Sequence, residues 1–444
     1  MSALSVAAGG LVCADLELTA PSLPPIDPGL GAQLLVRLHG EPLGTITVPS
    51  GTGNMPNAEA LAAAAQSMLK VHVRRHLESD GLNLPMPDPE HRCTRRLRPT
   101  STAASVIVGT TGARSTLRGA LESVLASDFV GDLEILVVDN RPSHSRVRAL
   151  IEELDDPRLR YLAEPRAGVS YARNTGIAKA RTDLLLFTDD DVLVDPGWVR
   201  STVAVFDESP LVDAVTGLVV PASLATAAER IFEQTSSFNK GYNRLVWSLR
   251  DAGDPIYQLG PKGNGGPLFP YPGANVGSGN SMAFRRVTIE RISGFDGDLR
   301  TGQDLDVFCR LILGGAAIVY EPRILVRHFH RDSDEALALQ TRRYGIGLSA
   351  LLTKQFVTSP DSRRRLTRLI PSGTREYFRA QTTPKTVTAT VTRSGQSKEL
   401  ATTTPVPPKL RALAILGFAY GPVHYLRSRS RNRRAARLHP PRRA

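Results

Sequence analysis

A mostly parallel, doubly wound α/β sheet is predicted for the middle of this 444-residue chain, with a small α+β module before it and a helical, basic tail after it. Three observations predict it. The run Leu184-Leu185-Leu186-Phe187 leads straight into Thr188-Asp189-Asp190-Asp191. A continuous apolar run of that kind reads as a strand buried on both faces, and its carboxyl end is where such sheets bind ligands. Upstream, short apolar runs alternate with helical segments, which implies right-handed crossovers between parallel strands. Finally, Thr110 to Arg114, Asp139, Asp189 to Asp191 and Gly302 to Asp306 all fall at strand ends or helix starts of that one sheet.

In order, residues 1–98 read as a separate module with a linker. Leu11 to Leu18 and Gln33 to Val48 carry strand-like patterns, broken by prolines from Pro21 to Pro28 and by Gly40 and Gly44. Asn57 to Leu77 has helical spacing of Ala, Leu and Val, and a basic stretch from Pro85 to Pro99 follows. Nothing in this module carries recognisable chemistry.

Residues 99–355 are the catalytic candidate. Ala104 to Val108 is the first strand, and Ser115 to Ala126 a helix with Ser115 as its N-cap. Glu134 to Val138, Arg146 to Leu154, Leu159 to Leu162 and Val169 to Ala180 continue the strand–helix alternation up to the acidic strand. Beyond it, Val212 to Val220 reads as a strand, Ala225 to Leu249 as a helix, and the Gly- and Pro-rich Gly260 to Gly277 as a flexible loop. Ser281 to Phe284 is a strand, Arg286 to Ile292 and Val307 to Leu313 are helices, and Ala317 to Tyr320 and Leu325 to His328 are closing strands. A helix from Ser333 to about Leu351 ends the domain.

Residues 356–444 form the third region. The Thr-, Ser- and Pro-rich stretch 380–408 reads as a flexible linker. Leu410 to Leu426 is apolar apart from Arg411 and His424, and Gly421-Pro422 interrupts it, so it is expected to lie on a membrane surface instead of crossing one. A helix packed on the protein itself is the other reading of 410–426.

The net charge of +12 does not point to nucleic acid, because the last eighteen residues hold eight arginines and no acid. Three scattered cysteines without CxxC spacing indicate neither a zinc site nor a disulfide framework, as suits a reducing cytosol. The first residues lack the basic and apolar regions of a signal peptide, and no segment has the length of a membrane span. The expected location is cytoplasmic, with peripheral contact of 410–444 on the inner face of the membrane.

Three adjacent carboxylates repel one another by roughly 1 kcal/mol per pair even in water, so a divalent cation with oxygen ligands is the simplest partner for them. Small residues at Thr110-Thr111-Gly112 leave backbone N–H groups open to a phosphate, and Asp139 can accept from a base or a ribose hydroxyl.

Residues 104 to about 350 resemble the family-2 inverting glycosyltransferases of the GT-A fold, a Rossmann-like architecture. The resemblance rests on Ser105-Val106-Ile107-Val108 with Thr110 and Arg114, on Ile135 to Asp139, and on Ala172-Arg173-Asn174-Thr175-Gly176-Ile177. It continues through Phe187 to Asp191, Gly279 to Phe284, Gly294-Phe295-Asp296, Gly302 to Asp306 and His328-Phe329-His330. What it implies is a nucleotide-sugar donor (UDP-, GDP- or dTDP-linked), a glycan or lipid-linked acceptor, and inversion at the anomeric carbon. Thr110, Arg114, Asp139, Arg173, Asn174 and Asp189 would bind the donor nucleotide. Asp189, Asp191 and His328 would hold Mg²⁺ or Mn²⁺, with Asp190 turned away, and Asp304 would be the general base. Gly109, Asn140 and Gln303 depart from the usual family residues at those positions. The rival readings are a sugar-nucleotide-forming nucleotidyltransferase, whose Lys-bearing signature loop is missing here, and a non-catalytic nucleotide-sugar-binding homologue.

Overall fold

The computed structural model describes residues 9–82, 102–380, 388–393, 397–400 and 406–438, apart from residues 28, 53, 80, 145, 267 and 272–274. The Pro-rich basic stretch that follows the first module lies outside the described residues.

The first module contains β1 (Leu11–Glu17), β2 (Gly31–Leu38) and β3 (Glu41–Val48), then α1 (Ala58–Met68) and α2 (Lys70–Ser79). The single helix expected over 57–77 is two, parted at Leu69, whose amide closes α1 onto the Ala65 carbonyl. Alternating apolar residues bury Leu34, Val36 and Leu38 from one strand and Leu61 and Ala65 from α1 into one core.

The central α/β domain follows. It comprises β4 (Ala104–Thr110), α3 (Leu117–Leu125), β5 (Leu133–Asp139), α4 (Val147–Leu154), β6 (Leu159–Ala163), α5 (Val169–Lys179), β7 (Leu184–Asp189), β8 (Val192–Val194) and α6 (Trp198–Glu208). It continues with β9 (Ala214–Pro221), α7 (Ala227–Ser236), β10 (Leu245–Trp247), β11 (Met282–Arg285), α8 (Arg286–Arg291), α9 (Gln303–Leu313) and β12 (Ile318–His328). The sheet order is β10-β12-β9-β11-β7-β4-β5-β6, with β8 paired to β12. Neighbours β7-β4-β5-β6 are parallel, as the continuous apolar runs predict, and β11 runs antiparallel between β7 and β9. The result is a parallel-rich α/β sheet with a helical region behind it.

Three local expectations give way. Ser115 does not cap α3; the N-cap is Thr116, whose hydroxyl donates instead to the Asp190 carbonyl at 2.7 Å. The helix expected over 225–249 stops at Ser236, and β10 then pairs antiparallel with β12. The two closing strands are one long strand, β12, with an irregularity between Glu321 and Leu325.

The C-terminal region departs most. After α10 (Asp334–Thr358) and α11 (Pro360–Ala380), the Thr-rich stretch expected to be a linker carries a hairpin of β13 (Thr388–Val391) and β14 (Ser397–Leu400). Strand β13 pairs in parallel with β3, so this hairpin extends the sheet of the first module to β1-β2-β3-β13-β14. That module is joined to the central sheet by Leu35 against Leu218, Val220 and Leu325, and by Arg37 donating to Asp195 at 2.7 Å.

Helix α12 (Pro408–Leu438) runs unbroken through Gly421-Pro422 and packs along α10, so the inward side of 410–426 rests on protein. The contact is a close approach of small residues. A Cβ at Gly345 would overlap the Ala414 carbonyl, one at Gly417 the Arg342 carbonyl, and one at Gly421 the Ser349 hydroxyl. No helix among the described residues is long and apolar enough to cross a membrane. Gly421→Leu is therefore expected to cost about 1–3 kcal/mol by overpacking, read as a lower midpoint in denaturant unfolding. An unchanged midpoint would contradict the packing of α12 on α10.

Candidate active site

The parallel register places the ends of three strands together. Thr110 on β4 lies beside Asp139 on β5, and Gly109 beside Asp189 on β7. Asp189 ends β7, Asp190 and Asp191 form the turn into β8, and each of the three has a different environment.

Asp189 accepts from Arg173 Nη2 at 2.9 Å. Its side chain keeps 32% of its surface open. Burial nevertheless pushes its pKa up to about 6, with Asp191 and Asp190 adding to the rise and Arg173 opposing it. Asp190, expected to turn away, instead accepts from the Thr110 hydroxyl at 2.6 Å and lies 3.4 Å from Arg114. Burial raises its pKa as well, and the Thr110 hydrogen bond opposes that. The acid packs inward because β8 must turn back to pair with β12, and Thr110 is the polar group waiting beneath it.

Asp191 is 4% exposed and sits among Arg114 at 3.4 Å, Arg331 at 3.4 Å and His328 Nε2 at 3.6 Å. Burial lowers the His328 pKa to about 3, so the imidazole is neutral and free to act as a ligand. Its Nδ1 meets His330 Nδ1 at 3.0 Å, and His330 Nε2 reaches Glu233 at 3.1 Å. Only His328 of the pair faces the acidic turn. Among the described residues no three His, Cys, Asp or Glu side chains gather as a complete metal cage. A buried carboxylate beside a neutral imidazole nonetheless fits a cation whose other positions come from phosphate oxygens and water.

Asp304 lies in the first turn of α9, where a carboxylate suits the helix dipole. Gly302 precedes the helix at φ +74°, a conformation that leaves the chain room to turn against Gly347 of α10. The Gly279 amide donates to Asp304 Oδ2 at 2.8 Å. Arg173, 3% exposed, donates to the Gly279 carbonyl at 2.9 Å from the same nitrogen that holds Asp189. One guanidinium thus couples the acidic turn to the loop that orients Asp304. Its Nη1 is buried and without a partner among the described residues.

Two expected contacts are otherwise engaged. Asn174 spends both ends of its amide on the Phe295 backbone, at 2.8 Å each, and so fixes the Gly294-Phe295 turn instead of facing a nucleoside. Asp139 is fully buried and accepts from the Arg141 amide at 2.9 Å and the Tyr161 hydroxyl at 3.1 Å.

Sequence reading missed Arg331, Tyr344 and Lys354. Arg331 directly follows His330 and could have been found by extending that motif one residue. Tyr344 on α10 lies within electrostatic reach of Asp304 and Asp191. Lys354 Nζ bridges Asp306, at 2.8 Å, and Asp296, at 2.6 Å, beneath the start of α9. Neither α10 residue has a sequence signal, since both are brought in by helix packing alone.

Residues 105–252 match the model of Glycosyl transferase family 2. The chain is 29% identical over 164 residues to the pre-mycofactocin glycosyltransferase of Mycobacterium tuberculosis, covering 37% of this chain and 30% of that one. It is 34% identical over 110 residues to the glucosyl-dolichyl phosphate glucuronosyltransferase of Haloferax volcanii, covering 24% and 35%. The chain thus spans about a third of the length of these curated relatives. Among solved structures it is similar to a mannosyltransferase from Pyrobaculum calidifontis in complex with GDP-Man and Mn²⁺, at 16% identity, 86% coverage of both chains and a TM-score of 0.40.

Proposed function

We propose that this chain, whose residues 105–252 belong to glycosyl transferase family 2, is a metal-dependent inverting glycosyltransferase. It moves a sugar from a nucleotide-diphosphate donor to a hydroxyl of a glycan or lipid-linked acceptor. The observation that carries this reading is the Arg173 bridge, which joins the acidic turn at Asp189 to the Gly279 loop holding Asp304.

Asp304 takes the proton of the acceptor hydroxyl as it attacks. The Gly279 N–H fixes Oδ2 and leaves Oδ1 for that proton. A general base of this kind contributes about 10²–10⁴-fold in rate. Asp191 and neutral His328 would hold Mg²⁺ or Mn²⁺, which when bound neutralises charge on the departing diphosphate. Arg114 and Arg331 flank the same point with two further positive charges, and Asp189, fixed by Arg173, would face the donor. Thr110 keeps Asp190 in place, so its role on the donor side is indirect. The basic, apolar-striped α12 supports a cytoplasmic position on the inner face of the membrane.

A panel of UDP-, GDP- and dTDP-sugars assayed with Mn²⁺ tests the reading. Turnover is expected with one of them, giving a product of inverted anomeric configuration by NMR, and chelation of the metal by EDTA is expected to abolish it reversibly. A product with the donor's anomeric configuration, or full turnover in EDTA, would contradict it.

A further inference from the structure

Helix α12 does more than pack on α10. Tyr420, His424, Arg427, Ser428 and Arg431 recur on one of its faces, and with Arg300 they line a pocket of about 240 Å³. Arg300 stands four residues before Asp304, in the loop that leads into α9.

Three arginines converging on one space repel one another, so an arrangement of this kind wants an anion. Among the described residues, neither Arg300 nor Arg431 has a carboxylate partner, and Arg427 reaches only the Tyr420 hydroxyl at 3.5 Å. No acid is among the residues that line the pocket; Asp298, nearby, accepts from the Asn432 amide at 2.6 Å and makes no ion pair with the three arginines among the described residues. The second observation is independent of charge. Ser428 is 5% exposed, and its buried hydroxyl has no hydrogen-bond partner among the described residues. A buried donor left unmade is unfavourable, and a ligand oxygen would offset that. Burial, then Arg300 and Arg431, lower the His424 pKa, which places those two cations against the imidazole. Guanidinium groups together with a hydroxyl are the donor set of a phosphate.

We propose that this pocket is a phosphate-binding site, and that it receives the phosphate of the acceptor. Exposed Leu416, Val423 and Leu426 form a stripe on the neighbouring face of α12, so the pocket sits beside an apolar surface, as a lipid-borne phosphate would need. The assignment to the acceptor rests on the glycosyl-transfer reading, whereas binding of phosphate does not.

The test therefore uses no donor and no turnover. Inorganic phosphate is titrated by calorimetry into the full chain, into Arg300→Gln/Arg431→Gln, and into the charge-matched Arg365→Gln/Arg368→Gln on exposed α11. Saturable binding is expected to weaken at least tenfold in the first pair and to stay unchanged in the second. Ser428→Ala, which keeps every charge, is expected to weaken it severalfold. Vesicles of phosphatidic acid in phosphatidylcholine then separate the sources: competition with inorganic phosphate assigns the site to a lipid head group, and its absence to a soluble phosphomonoester. Both results sustain the pocket. No saturable binding by the full chain, or equal weakening by the two arginine pairs, overturns it whether or not the chain transfers sugar.

Discussion

Asp304→Asn is expected to lower kcat by about 10²–10⁴-fold while leaving metal-dependent donor binding largely intact. Asparagine has the same shape, and its carbonyl oxygen can still accept from the Gly279 amide that now holds Oδ2. What it cannot do is take a proton. The first turn of α9 also loses a negative charge, but the dipole effect of one carboxylate is only about 0.3–1 kcal/mol, too small to unfold the domain. The informative measurement is therefore a split: kcat from initial rates, and donor affinity from the rise in melting temperature with nucleotide sugar and Mn²⁺. A base substitution moves the first and spares the second. Full activity in the variant, or a loss explained entirely by lost donor binding, sinks the assignment.

Lys354→Met is expected to destabilise the protein by about 3–5 kcal/mol. Asp306 has no exposed surface and is held by Lys354 at 2.8 Å and by Arg310 at 2.8 Å. Asp296 shares the same ammonium; burial pushes its pKa up, and Lys354 outweighs that and leaves it below the usual value. Methionine fills a similar volume and removes the charge, which leaves two carboxylates around one arginine in a buried site. The double variant Lys354→Met/Asp306→Asn is expected to recover part of the loss, because the uncompensated charge and not the missing contact carries most of the cost. Denaturant unfolding of the four proteins of that cycle measures it. Additive effects would show that Lys354 and Asp306 do not act together.

The residues that could be read in advance share one property: their neighbours in space are also neighbours in pattern. Strand β7 announces itself by four apolar residues, and the acids that follow it land at the sheet edge because the chain has nowhere else to turn. The same holds for Asp304, which lies at a helix start signalled by Gly302. Legibility fails where a side chain's partner lies far along the sequence. Nothing near Asn174 says that its amide will close on Phe295, or that Asp190 will be drawn inward to Thr110. Lys354 and Tyr344 sit on a helix whose sequence is ordinary, and only its packing brings them beneath α9 and beside Asp304. The Thr-rich hairpin was hidden for another reason. The stretch is rich in Thr, Ser and Pro, so composition alone suggests unstructured chain, while pairing with β3 supplies the order.

That pairing has a consequence for how the protein comes into being. The first module borrows its last two strands from residues 388–400, so its sheet closes only after the whole central domain has been synthesised. Until then β3 is an unprotected edge, a template for any stray strand. Loop closure across more than three hundred residues also makes the module a slow, late-folding unit. The central sheet, by contrast, draws β4 to β7 from consecutive segments and can form first. The first module is thus completed after the sheet that follows it in the chain, and removal of residues 388–400 would leave β3 without its partner.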